Sequence, residues 1–67
     1  MNWDRIEGKW KQLKGDLQVK WGKLTDDDTE VIAGNHDQLV GRIQELYGLQ
    51  KEAAEQQVAE WRDSLKL

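Results

Sequence analysis

Few side chains in this 67-residue chain could act as nucleophiles or general bases. Nucleophilic catalysis needs a Ser, Thr or Cys beside a base, and the chain has no cysteine and a single histidine, His36. The hydroxyl candidates are Thr25, Thr29 and Ser64. These three residues and His36 each have an ordinary structural explanation. We interpret His36, which is next to Asp37, as an exposed or capping residue at a helix start. We therefore predict that the protein is not an enzyme.

Metal and cofactor chemistry has equally little support in the sequence. One histidine and no cysteine exclude a site built from thiolates or paired imidazoles. Asp26 and Asp27 could bind Mg²⁺ weakly, but compensation of a helix dipole explains acidic residues at a helix start. No glycine pattern follows a strand, so a phosphate-binding loop is not indicated. The sequence predicts neither a metal nor a cofactor.

Binding chemistry has a clearer signal, because the charge is unevenly distributed. Residues 1–23 carry six cations against three carboxylates, a net charge of +3, whereas residues 24–37 carry five carboxylates and no cation. The candidate binding residues are five lysines of the first third: Lys9, Lys11, Lys14, Lys20 and Lys23. They flank both sides of an apolar stripe, and the whole chain has a net charge of −3. Because nucleic-acid binders are usually basic overall, contact with a nucleic-acid backbone is the alternative interpretation.

Apolar residues at helical spacing predict the elements that position these lysines. Three stripes recur every three or four residues: Trp3, Ile6, Trp10, Leu13 and Leu17; then Leu39, Ile43, Leu46 and Tyr47; then Ala54, Val58, Trp61 and Leu65. Together with a helix start at residues 25–28, they predict helices near residues 3–21, 26–33, 36–47 and 50–65, and no strand pattern competes. The expected fold class is all-α, a small bundle of four to five helices arranged as two crossed helical hairpins.

Capping residues and glycines predict the helix boundaries. Thr25 can accept a hydrogen bond from an early backbone N–H, and Asp28 can reach back toward Thr25. Gly22 and Gly48 each follow an aromatic residue, where a left-handed residue is expected to end a helix. Gly34 is interpreted as a third terminator, and Gly8, Gly15 and Gly41 as hinges or points of close backbone approach. Gln50 is a weaker helix start than Ser, Thr or Asp.

The chain also repeats itself at an offset of 26 residues. Residues 6–22 and 32–48 share seven identities at this offset, including three glycine pairs: Gly8 with Gly34, Gly15 with Gly41 and Gly22 with Gly48. Self-similarity of this kind indicates duplication of a structural unit. We therefore interpret residues 1–67 as a single domain with an internal repeat, 6–22 and 32–48.

Two runs of sequence resemble the CsbD-like general stress-response family of small bacterial proteins. The first is residues 8–15 together with Trp-Gly-Lys-Leu-Thr-Asp-Asp-Asp at 21–28, and the second is residues 37–48 followed by Ala54, Glu55 and Val58. The chain departs from the family at Asn35-His36, where Lys-Arg is frequent, and at Gln50, where serine is common. The resemblance implies a bundle of two crossed hairpins, induction under general stress in a bacterial cytoplasm, and no known catalytic residue.

The low mean hydropathy of the chain bears on whether it associates with a membrane. Mean hydropathy is −0.91 and 34% of residues are charged, and no apolar run approaches the roughly 18 residues that span a bilayer. Tryptophans and lysines on one helix are also typical of a membrane-surface element, but these tryptophans fall on predicted core stripes. We expect a cytoplasmic monomer that acts by weak protein interaction or as a protectant, with an unknown protein or macromolecular partner.

Overall fold

The computed structural model describes residues 3–65, and this part of the chain folds into five α-helices without a strand. The helices are α1 (Trp3–Gly8), α2 (Trp10–Lys20), α3 (Asp26–Ile32), α4 (His36–Tyr47) and α5 (Lys51–Ser64). The all-α fold class is confirmed. α4 packs against both α3 and α5, so it is the central element. No helix in the described range is long and apolar enough to cross a bilayer.

The three apolar stripes meet in one core. The buried apolar side chains are Ile6, Leu13, Leu17, Trp21, Leu24, Ile32, Leu39, Val40, Ile43, Ala54, Val58 and Trp61. The remaining stripe residues, among them Trp3 and Trp10, are partly buried and pack against this cluster. Burial of each large side chain stabilises the fold by about 1.5–3 kcal/mol. Helical spacing therefore identified the inward-facing side of every long helix.

Tryptophan side chains connect helices that are far apart in the sequence. The Trp61 ring of α5 lies 6.0 Å from the Trp21 ring and 6.4 Å from the Trp3 ring. Trp21 Nε1 donates to Gln57 Oε1 at 3.0 Å, and Trp10 Nε1 donates to the Thr29 carbonyl at 2.7 Å. Each of these two indoles thus buries its apolar body while its polar N–H finds a partner.

The expected single helix over residues 3–21 is wrong, because the chain breaks at Lys9 and leaves the helix after Lys20. Lys9 has φ −108° and ψ 19°, and its N–H is shared between the Arg5 and Ile6 carbonyls. α2 then begins anew, with the Lys9 carbonyl accepting from Gln12 and Leu13. The apolar spacing continues across the break, so periodicity alone could not reveal it.

Gly22 does not end α2 in the left-handed conformation, which corrects a second expectation. The glycines with positive φ in residues 3–65 are Gly34 (81°) and Gly48 (65°). α2 ends instead because Trp21 leaves the helical region, at φ −125° and ψ 88°, while its buried ring anchors the turn. The Trp21 carbonyl then accepts from the Leu24 N–H. The expected left-handed cap at Gly48 is confirmed.

Close backbone approach occurs at Gly34 and not at Gly8, Gly15 or Gly41. A Cβ built on Gly34 would lie 2.7 Å from the Glu7 Cα, whereas the other three positions have open space within 4 Å. α1 therefore lies directly against the turn between α3 and α4. Ala33 (φ 48°) and Gly34 form that turn in succession.

The remaining helix starts differ in how well they are capped. Thr25 Oγ1 accepts from the Asp28 N–H at 3.1 Å, and Asp28 Oδ2 accepts from the Thr25 N–H at 3.0 Å, which confirms the capping box. Asn35 Oδ1 caps α4 by accepting from the Gln38 N–H. Gln50 makes no side-chain capping bond to α5, as its residue type predicts.

Candidate interaction surfaces

The five candidate lysines are distributed around α2 and its two ends. Lys9 occupies the break before α2, and Lys11 and Lys14 lie within the helix. A helix turns by about 100° per residue, which places Lys14 on one side of the buried Leu13–Leu17 seam and Lys20 on the other. The lysines therefore surround the helix, as the sequence predicts, and do not form one ridge.

Lys20 and Lys23 lie against aromatic rings. Lys20 Nζ is 5.8 Å from the centre of the Trp21 ring, and Lys23 Nζ is 5.1 Å from the centre of the Tyr47 ring. Lys23 Nζ also donates to the Leu46 carbonyl at 3.5 Å, and the Lys23 N–H donates to the Tyr47 hydroxyl at 3.1 Å. Lys23 thus joins the α2–α3 connection to the end of α4, a structural role that competes with ligand binding.

The residues considered for catalysis are engaged with the backbone or with neighbouring side chains. Thr29 Oγ1 donates to the Asp26 carbonyl at 2.7 Å, and Ser64 Oγ donates to the Trp61 carbonyl at 2.6 Å. His36 Nδ1 lies 3.2 Å from Asp37 Oδ1, and the imidazole edge faces the Trp3 ring at 5.0 Å. Within residues 3–65, no group of three His, Asp or Glu side chains could hold a metal ion.

A groove of about 270 Å³ runs between α3 and α4. We call it the α3–α4 groove; its lining residues are Asp28, Val31, Asp37, Gln38, Gly41, Arg42 and Glu45. Asp37 has 97% of its side chain exposed and Val31 is 70% exposed. The groove therefore offers carboxylates, one guanidinium and an uncovered apolar side chain to a partner.

The Asp28 carboxylate is the most constrained charge in the groove. Its residue is only 7% exposed, and Arg42 approaches Oδ1 with Nε at 2.7 Å and with Nη2. The backbone N–H of Thr25, followed by the Arg42 guanidinium, lowers the pKa of Asp28 below its usual value, against the opposing effect of burial. Asp28 therefore stays ionised under ordinary conditions and is not available as a proton donor.

Arg42 connects two carboxylates across the groove. Its Nη1 donates to Glu45 Oε2 at 2.9 Å, one helical turn along α4, while the rest of the guanidinium holds Asp28. The hydrogen bond to Asp28, with the nearby negative charge, raises the pKa of Arg42 above its usual value. Arg42 is still 41% exposed, so a partner could reach it.

The pairing of Asp28 with Arg42 escaped the sequence analysis, which assigned Asp28 to capping alone. A signal for it was present, because Arg42 is the only cation between Lys23 and Lys51. A helix-capping carboxylate and a lone arginine fourteen residues further along, on the next helix, form a candidate pair. The groove itself could not be located without the packing of α3 on α4.

The sequence matches one family model and is similar to the sequences of several named bacterial proteins. The CsbD-like family model matches residues 4–56. UPF0337 protein ECA0631 of Pectobacterium atrosepticum is 61% identical over 66 residues, which cover 98% of this chain and 96% of that protein. UPF0337 protein YjbJ of Escherichia coli (strain K12) is 57% identical over 61 residues, covering 91% and 88% of the two chains.

A relative from a third genus shows the same relationship. UPF0337 protein PA4738 of Pseudomonas aeruginosa is 52% identical over 65 residues, which cover 97% of this chain and all of that protein. The family model spans well over half of the chain, and these relatives match it almost from end to end. The chain belongs to the CsbD-like family.

Proposed function

We propose that this protein is a non-enzymatic general stress-response protein of the bacterial cytoplasm that protects other macromolecules through weak contacts. One observation carries the proposal: the residues suited to chemistry are used to hold the helices. Thr25 and Asp28 cap α3, and Thr29 and Ser64 donate to backbone carbonyls. The stress role is supported by the family resemblance.

The outer surface supports weak contacts over tight binding. The large apolar side chains left exposed in residues 3–65 are Val19 and Val31. Tight interfaces use clusters of buried aromatic and apolar anchors, and here the tryptophans pack in or against the core. Charged side chains dominate what remains for a client to contact.

Drying an unrelated enzyme, such as lactate dehydrogenase, with increasing amounts of the protein tests the proposed protection. We expect recovered enzyme activity to rise smoothly with the mass ratio, because no single site is being filled. A variant with Lys9, Lys11, Lys14 and Lys20 all changed to Gln serves as the matched control and should keep the same smooth dependence on mass ratio. Recovery that saturates at one fixed stoichiometry would contradict a general protectant.

The second candidate is binding to a nucleic-acid backbone through Lys9, Lys11, Lys14, Lys20 and Lys23. The net charge of +3 on residues 1–23 favours it. Each lysine that contacts a phosphate contributes about −0.9 to the slope of log affinity against log salt. Because the lysines surround α2 and cannot all face one duplex, a slope between about −0.9 and −4.5, reduced by about 0.9 in Lys11→Gln and unchanged in Lys51→Gln, would support this candidate.

We also infer that the helices form two crossed hairpins and that residues 6–22 and 32–48 are duplicated units of one domain. The packing of α4 on both α3 and α5 supports the first inference. The second is supported by the seven identities at an offset of 26 residues. A peptide that contains only one of the two units should be unfolded. Circular dichroism of the two separate peptides would test this.

A further inference from the structure

Three tryptophan rings form a continuous row from the interior of the bundle toward its surface. Trp21 is 2% exposed and Trp61 is 4% exposed, whereas Trp3 is only partly buried. The centre of the Trp61 ring lies 6.0 Å from that of Trp21 and 6.4 Å from that of Trp3. Paired aromatic rings have centres about 4.5–7 Å apart, so neighbouring rings are close enough to interact directly. We call these three residues the tryptophan row.

The chemistry of indole makes such a row able to exchange electrons. Indole is among the side chains that lose one electron most readily, and the chain has no cysteine that would be oxidised first. The rate of electron tunnelling falls steeply with distance, so rings that lie side by side exchange an electron faster than separated rings. An electron vacancy formed on any ring of the tryptophan row can therefore move to the other two.

The surroundings of the rings give this movement a direction. A radical cation is costly on a buried indole, and Lys20 Nζ places a further positive charge 5.8 Å from the centre of the Trp21 ring. The Trp21 N–H donates to Gln57 Oε1 at 3.0 Å, and this neutral amide oxygen is an acceptor but not a base that removes the proton. Trp3 is in contact with water, and the imidazole of His36 lies 5.0 Å away between ring centres. Both water and imidazole can accept the acidic proton of an indole radical cation.

We propose that the tryptophan row carries oxidising equivalents from the core to Trp3, where a reductant in solution removes them. A one-electron oxidant such as the carbonate radical takes an electron from Trp21 and is reduced to carbonate. Trp21 regains an electron from Trp61, and Trp61 regains one from Trp3. Trp3 then loses its indole proton and becomes a neutral radical. This radical accepts a hydrogen atom from an enediol such as ascorbate, which becomes the ascorbyl radical.

The transfer of oxidising equivalents protects the core of which the row is a part. Covalent oxidation of Trp21 or Trp61 would add polar atoms to a ring that is buried among apolar side chains, which destabilises the fold. Trp3 lies at the edge of that core, so a radical formed there is accessible to a reductant before permanent damage occurs. This activity goes beyond the proposed protection of other macromolecules and does not depend on it.

Flash oxidation from a fixed position beside Trp21 tests the proposal. Gly22→Cys provides the attachment site, since Gly22 is exposed and a Cβ there would meet no atom within 4 Å. The chain has no other cysteine, so a ruthenium polypyridyl complex reacts at this position alone. A laser flash with an electron-accepting quencher converts the complex into a one-electron oxidant. We expect transient absorption to show the neutral, deprotonated tryptophan radical, because the vacancy reaches Trp3.

Trp3→Phe and Trp61→Phe in the labelled protein should each abolish the neutral radical. Phenylalanine is not oxidised under these conditions, so the vacancy stays on a buried ring that keeps its proton. The radical cation, which absorbs at longer wavelength than the neutral radical, should persist instead. Trp10→Phe is the matched control, because Trp10 lies outside the row, and it should keep the signal of the labelled parent. Far-UV circular dichroism verifies that each variant is folded, and Trp3→Phe changes a ring outside the fully buried core.

Ascorbate in the solution allows a second measurement on the same proteins. After repeated flashes we expect peptide mass spectrometry to find Trp21 and Trp61 intact in the labelled parent and oxidised in Trp3→Phe. A neutral radical that survives in Trp3→Phe overturns the proposal. Loss of that radical in Trp10→Phe, a tyrosyl radical at Tyr47 in its place, or equal oxidation of Trp21 with and without Trp3 would do so as well.

Discussion

Asp28 stabilises the fold through one carboxylate that serves two partners. Oδ2 accepts a hydrogen bond from the Thr25 N–H and completes the cap of α3. Oδ1 accepts a hydrogen bond from Nε of Arg42 in α4. The carboxylate therefore links a helix start to the neighbouring helix. Both partners favour the charged form, which is why the pKa of Asp28 is lowered.

Acid should destabilise the protein partly through Asp28. Because its pKa is lower in the folded than in the unfolded chain, its charged form contributes stability above the ordinary value of 3.8. That contribution is lost as the pH falls below 3.8 and through the folded pKa. Asp28→Asn should be less stable than wild type at neutral pH and lose less stability on acidification, measured by urea unfolding at several pH values. If Asp28→Asn keeps the wild-type acid response, Asp28 is not responsible.

Gly34 and Gly15 should respond to alanine in opposite directions. Gly34→Ala places a Cβ 2.7 Å from the Glu7 Cα at φ 81°, so we expect a loss of about 2 kcal/mol or more in the free energy of unfolding. Gly15→Ala adds a methyl group in open space within α2, and we expect a gain of about 0.5–1 kcal/mol. Urea unfolding measures both changes. A tolerated Gly34→Ala would mean that α1 does not lie against the α3–α4 turn.

At the scale of the helix, α5 is the element whose start can be improved. Gln50 has an extended backbone suited to an N-cap, φ −72° and ψ 160°, but makes no side-chain capping bond. Gln50→Ser should therefore raise the free energy of unfolding by about 0.5–1 kcal/mol. Gln56→Ser, in the exposed interior of α5, is the control and should be slightly destabilising because serine is a poorer helix former. Equal effects at the two positions would exclude capping as the cause.

Spacing of apolar residues predicted the inward faces of α2, α4 and α5, and the capping residues predicted α3, but neither revealed the break at Lys9. The apolar side chains at Trp3, Ile6 and Trp10 keep helical spacing across it, so the pattern contains no interruption. The internal repeat did contain a signal for the break. At the offset of 26 residues Lys9 aligns with Asn35, which is the N-cap of α4. Contact between α1 and the α3–α4 turn, a tertiary effect, is what requires the chain to bend.

For the whole molecule, the free energy of unfolding depends on a small hydrophobic core. A domain of this size has a net stability of only about 3–5 kcal/mol. Trp61 is 4% exposed and its ring lies beside those of Trp3 and Trp21. Trp61→Ala should cost about 3–5 kcal/mol and leave most of the protein unfolded at 25 °C. Far-UV circular dichroism would measure the loss of helix, with Val19→Ala as the exposed control that stays folded.

The interaction surfaces were predictable only in part. The lysines could be named from charge alone, and their placement around α2 follows from helical geometry. The α3–α4 groove could not be predicted, because it is formed by the packing of two helices. No local sequence pattern specifies the relative position of those helices. The ion pair of Asp28 with Arg42 likewise depends on the distance between α3 and α4 and not on sequence spacing.

The row of indole rings has a spectroscopic consequence. Trp3 lies in α1, Trp61 in α5 and Trp21 directly after α2, and neighbouring rings in the row have centres 6.0–6.4 Å apart. At such separations the electronic transitions of adjacent indoles couple, so that the three absorb as a joint chromophore with a signed exciton couplet. The contribution of the Trp3–Trp61 pair exists only while α1 and α5 are docked together. It is therefore an intrinsic optical marker for the joining of the two ends of the chain, and no added label is needed to follow it.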